Sequence, residues 1–183
     1  MSSVLVSAPL MILSALFSFI ILDLFSPFSL EEFGINLSQD IEITISFLDL
    51  AYFLMLSIIV VLFHELIHLV FIPGFLTSDK AFLGITYFGG FAYSEEVLSK
   101  SRCTLILLAP FVVISIILPR ILGALNLLSP LVKFLILSNA MGSCVDMLGL
   151  ILILIQVPAG AYLTCNGTRT YWKRTDSSIP ESN

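Results

Sequence analysis

The sequence predicts an all-α membrane protein, with about four transmembrane helices and a short β-hairpin or re-entrant segment after the second. Three observations carry this. Of 183 residues, 58% are hydrophobic and only 11% charged, with a mean hydropathy of +1.06. A water-exposed domain of this size needs far more charged surface. Four apolar runs approach or exceed the length that crosses a hydrocarbon core of about 30 Å at 1.5 Å per residue. One stretch breaks that pattern, with aromatic and β-branched residues around Gly89-Gly90.

Val4 to Leu22 is nineteen uncharged residues with no basic region before it and Pro9 early in the run, so a span is expected rather than a cleaved signal peptide. Asp23 to Asp49 is acidic and contains Pro27, Gly34 and several serines, which reads as an extramembrane loop with a short surface helix near Leu30 to Gly34. It includes Asn36-Leu37-Ser38, a glycosylation acceptor pattern too common by chance to carry weight. The second span runs from about Phe47 to Ile72 and is stopped by Pro73-Gly74.

Between Ala81 and Tyr93 the residues Phe82, Ile85, Thr86, Tyr87 and Phe88 precede the glycine pair, and Phe91 and Tyr93 follow it. This signals a hairpin, with an irregular aromatic interfacial loop as the other reading. The third span, Cys103 to Leu118, is only sixteen residues, with Pro110 inside and Pro119-Arg120 after it, so a kink or tilt is expected. The fourth, Phe134 to Val157, carries Asn139, Ser143 and Asp146 among aliphatic residues. The polar tail from Tyr162 to Asn183 contains Tyr171-Trp172 and Lys173-Arg174, read as an interfacial anchor. All of this forms one integral membrane domain over residues 1–183.

Charge is segregated along the chain. Asp23, Glu31, Glu32, Asp40, Glu42 and Asp49 all precede Lys80, the first basic residue, whereas Lys100, Arg102, Arg169, Lys173 and Arg174 come later. The positive-inside rule then makes the protein multi-pass with the acidic loop outside and both termini cytoplasmic, although Arg120 and Lys133 fall in the second outer loop and oppose the trend. Because the charges are segregated, the net charge of −5 is a misleading clue to partners, and nucleic acid is not expected as one. Cys103, Cys144 and Cys165 contain no C-x-x-C pair and read as small apolar residues.

His64-Glu65-Leu66-Ile67-His68 matches H-E-x-x-H, whose histidines share one helical face and can offer two imidazoles to one zinc ion. The chain has only these two histidines, both inside an apolar span where ionisable groups are rare and usually functional. Glu65 follows the first imidazole directly, as a general base that takes a proton from the attacking water and passes it to the leaving amine. The alternative is a buried polar pair that glues helices together.

A catalytic zinc wants a third protein ligand. Asp146 is expected to supply it. By the helical rise, His64 and His68 lie roughly 12 and 6 Å below Ile72, and Asp146 roughly 13 Å below Ile155, which puts the three at a common depth. Asn139, Ser143 and Asp146 recur at spacings of four and three and line one face. Gly142 and Gly149 beside them suggest a close approach of the fourth helix to the second.

Each acid at the bilayer centre costs about 2.5 to 3.5 kcal/mol, and bound zinc can return about 10 to 16 kcal/mol. Asp146 could otherwise be a neutral acid or proton relay, and Glu95, Glu96 and Asp49 are rival third ligands.

These residues resemble the intramembrane metalloproteases related to site-2 proteases, in particular the small zincin peptidases of that type. The resemblance covers roughly Leu50 to Gly160. It rests on His64, Glu65 and His68, then Asn139, Ser143 and Asp146, with Ala109-Pro110-Phe111 as weaker support. It implies zinc (Zn2+) held by His64, His68 and Asp146, catalysis by Glu65, and substrate contact by Asn139, with Ser143 beside it. Site-2 proteases proper usually read Leu-Asp-Gly where this chain has Val145-Asp146-Met147, which sets it outside the central family.

The resemblance also implies a membrane-embedded β-element after the motif, where an unwound substrate segment could add as a strand. The implied activity is a zinc-dependent endopeptidase acting on membrane proteins or peptides in the lipid bilayer. A metal or proton transporter, and an inactive zinc-binding scaffold, are the competing functions.

Overall fold

The computed structural model describes residues 3–29, 46–75, 81–86, 89–94, 96–166 and 169–174. Among the described residues four helices are long and apolar enough to cross a membrane, with β-strands after the second and fourth. These are α1 (Ser3–Phe25), α2 (Phe47–Phe71), a continuous helical run over Lys100–Ala124, and an interrupted one over Pro130–Gln156. The expected surface helix near Leu30, the Asn36 tripeptide, Glu95 and everything beyond Arg174 lie outside the described residues.

Local chemistry sets the helix ends. Ser46 and Asp49 form a reciprocal cap on α2, each backbone N–H donating to the other's side chain at 3.1 Å. That bond commits Asp49 to the N-terminal end of α2, about 22 Å from His64 by the helical rise, and removes it as a rival ligand. Gly74, at φ 67°, stops α2 in the left-handed conformation that glycine adopts most readily.

The third span exceeds its expected limits at both ends. Helix α3 (Lys100–Val112) passes through Pro110, and a π-helical segment, Val113–Ile117, leads into α4 (Leu118–Ala124). Pro119 does not stop the helix as its position suggested. Proline is tolerated in the first turn of α4, and the N–H it lacks is absorbed by the wider π turn just before it. In the fourth span, Ser129 caps α5 (Pro130–Gly142) by accepting from Val132 N. The run breaks at Ser143 before α6 (Cys144–Gln156).

Strands β1 (Ala81–Thr86) and β2 (Gly89–Ser94) pair antiparallel, with Thr86 opposite Gly89 and Ile85 opposite Gly90. The hairpin pairing is therefore present, but both glycines lie in the ladder. A second sheet was not foreseen. Strands β3 (Leu98–Ser99), β4 (Ala161–Asn166) and β5 (Arg169–Arg174) run antiparallel in that order, so the anchor sequence Tyr171 to Arg174 is an edge strand.

The chain forms two compact units, one of residues 1–64 with 110–145 and one of 65–109 with 146–183. In the first, α1 packs on α5 and α4 through Ser14, Ser18 and Leu22, which repeat every four residues on one buried stripe. Lys133 is fully buried there, donating to the Pro27 carbonyl at 3.1 Å with its ammonium 4.9 Å above the Phe28 ring. It is thus an internal cation rather than the loop charge the sequence suggested. The second unit has a core of Leu98, Cys103, Val157, Ala161 and Leu163, and Lys100 caps the end of α6 by donating to the carbonyls of Leu154 and Val157. Cys103 and Cys144 are buried and lie outside any disulfide.

The glycines behave differently from their sequence reading. A Cβ on Gly142 would meet nothing within 4 Å, and one on Gly149 would touch Leu107 of α3 at 3.5 Å, so neither marks a close approach to α2. The tight glycine is Gly123, where a Cβ would stand 2.8 Å from Phe25 Cβ. Gly123→Ala is expected to lower stability by about 1 to 3 kcal/mol through overpacking, while Gly142→Ala is neutral or mildly stabilising. Thermal unfolding in detergent distinguishes them, and equal melting temperatures would refute the contrast.

Candidate metal centre

Helix α2 carries both imidazoles one turn apart, and each ring is steered by a different neighbour. His68 is buried, and its Nδ1 lies 2.9 Å from the Ile106 carbonyl oxygen on α3. A carbonyl only accepts, so Nδ1 must carry the proton. In the neutral ring, Nε2 is then a bare lone pair.

That lone pair faces Asp146. His68 Nε2 and Asp146 Oδ2 are 3.6 Å apart, with Asp146 in the first turn of α6. A direct charge-assisted hydrogen bond would close to about 2.7–2.9 Å. Two ligands held tetrahedrally at about 2.0–2.1 Å from a zinc ion stand roughly 3.4 Å apart. Nitrogen and oxygen are thus spaced for a cation between them.

His64, half-buried, has Nδ1 2.9 Å from Asn139 Oδ1. Asn139 Nδ2 in turn donates to Ser115 Oγ at 3.1 Å, and Ser143 Oγ donates to the Asn139 carbonyl at 2.9 Å. Asn139, Ser115 and Ser143 are all buried. The serine bond back to the preceding turn competes with regular helix bonding, and α5 ends there.

One donor atom each from His64, His68 and Asp146 lies within 4.8 Å of the other two, a group that could hold a metal ion. The donor set of two imidazoles and one carboxylate suits zinc. Glu65, between the histidines in sequence, is buried.

The expected third donor is therefore in the group. Asn139 and Ser143, the residues implied to touch substrate, are bonded to other protein groups. Sequence reasoning missed Ser115 and the Ile106 carbonyl. A lone serine in a span gives only a faint signal, and a backbone carbonyl gives none.

Residues 57–162 match the model of a family described as "Putative zincin peptidase". No curated protein and no solved structure matches the chain.

Proposed function

Since the chain belongs to this zincin peptidase family, we propose that it is an intramembrane zinc endopeptidase related to site-2 proteases, cutting membrane-embedded or membrane-proximal peptide segments. The observation that carries the reading is the His68–Asp146 pair, whose nitrogen and oxygen stand 3.6 Å apart, the spacing of two ligands on one cation. His64, His68 and Asp146 would hold the ion. When bound, zinc supplies Lewis acidity to the attacking water and to the scissile carbonyl.

The chain's own groups do the rest. Ile106 and Asn139 keep the imidazole Nδ1 positions protonated, so both rings present Nε2. Glu65 takes the water proton and delivers it to the leaving amine. Its burial beside apolar residues excludes competing solvent. The β1–β2 hairpin directly after α2 suits an extended substrate segment, because a helical one keeps its amides internally bonded.

We place both termini on the cytoplasmic side. Lys100, Arg102, Arg169, Lys173 and Arg174 then fall inside. Lys133 drops out of the count because it is buried rather than in a loop.

The test uses purified wild-type protein. It is expected to bind about one zinc per chain and to cleave a transmembrane peptide, with activity lost on chelation and restored by added zinc. Stoichiometric zinc without cleavage of any membrane peptide would leave a carrier or scaffold instead.

A further inference from the structure

We infer that Asn139, anchored by Ser115, is a positioning residue that fixes the Nδ1–H form of His64 and so presents Nε2 to the metal. This rests on the zinc-peptidase reading but concerns a bond within the protein.

A neutral imidazole has one N–H and one lone pair, and only the form protonated at Nδ1 can ligate through Nε2. The Asn139 carbonyl oxygen, 2.9 Å from Nδ1, selects that form. An amide turned the other way would offer an N–H to Nδ1 and select the wrong one. Ser115 holds the amide at its other end, where it accepts from Asn139 Nδ2 at 3.1 Å.

Ser115 is fully buried and sits at the middle of the π-helical segment, a rare backbone form often found at functional sites. Ser143 completes the arrangement by bonding the Asn139 backbone carbonyl at the end of α5. One N–H and one oxygen lone pair of the Asn139 side-chain amide are thus engaged inside the protein. His68 reaches the same protonation form through the Ile106 carbonyl, a partner that cannot be flipped.

The chain has only two histidines, so metal-free wild-type protein with nitrogen-15-labelled rings gives a direct readout. Both Nδ1 atoms are expected to be protonated. A bare Nδ1 on His64 would overturn the inference.

Zinc affinity, measured by competition with a chelating dye, gives the second readout. Asn139→Leu is expected to weaken zinc binding by about 10- to 100-fold and to leave the His64 ring as a mixture of two forms. Asn139→Asp keeps an acceptor in place and is expected to bind closer to wild type than to the leucine variant. A leucine variant that binds like wild type, or an aspartate variant as weak as leucine, refutes the positioning role.

If the leucine variant does not fold, Ser115→Ala decides. Loss of zinc affinity with a mixed His64 ring supports the role, and an unchanged ring and affinity overturn it. Absence of zinc binding by wild type would remove the peptidase reading, while the ring spectrum would still test Asn139.

Discussion

Glu65→Gln protein is expected to keep about one zinc per chain and to lose cleavage of a transmembrane peptide by about 100- to 10,000-fold. Glutamine matches glutamate in shape, so the buried turn between His64 and His68 keeps its packing. What disappears is the only group in H-E-x-x-H that can carry a proton from water to the amine. Parallel measurement of zinc content and initial cleavage rate separates the outcomes. Cleavage at the wild-type rate would remove Glu65 from the chemistry, and loss of zinc along with activity would make it a ligand instead.

Asp146→Asn is expected to weaken zinc binding by more than about 100-fold, beyond the range for groups that only orient a ligand. Cleavage should fall with it. The same substitution makes a sharper prediction for thermal stability. Without metal, the Asp146 carboxylate stands 3.6 Å from His68 Nε2, longer than a direct charge-assisted hydrogen bond, so the variant should melt close to wild type.

With saturating zinc wild type should melt higher, because the ion stabilises only the protein that binds it. Equal melting in both conditions would take Asp146 out of the centre. Glu96→Gln serves as a control and should leave zinc affinity unchanged. A large loss there would restore that residue as a third ligand.

The chemistry was more legible than the packing. His64, Glu65, His68 and Asp146 were visible because ionisable groups in apolar runs have no bland explanation. Counting helical rise put Asp146 at the depth of the imidazoles, and one donor atom from each lies within 4.8 Å of the other two. Lys133 was misread as a loop charge although Ser129-Pro130, a helix start signal, stands just before it. Gly142 misled because glycine marks helix ends as well as close contacts, and here the helix ends beside it.

The π-helical segment could not be read at all. It follows from Pro119 entering a helix that tertiary packing continues, and propensity alone ends that helix. The β3–β4–β5 sheet was hidden by the charges on β5, which fit a membrane-surface tail equally well.

The two rings draw their orientation from separate sources, Ile106 on α3 for His68 and Asn139 on α5 for His64. Damage anywhere that displaces one of these acceptors releases one imidazole and leaves the other aligned. Metal retention therefore doubles as a gauge of structural integrity. Among randomly generated variants, those that hold the ion most weakly should include many whose lesions lie in α3 or α5, far along the chain from H-E-x-x-H.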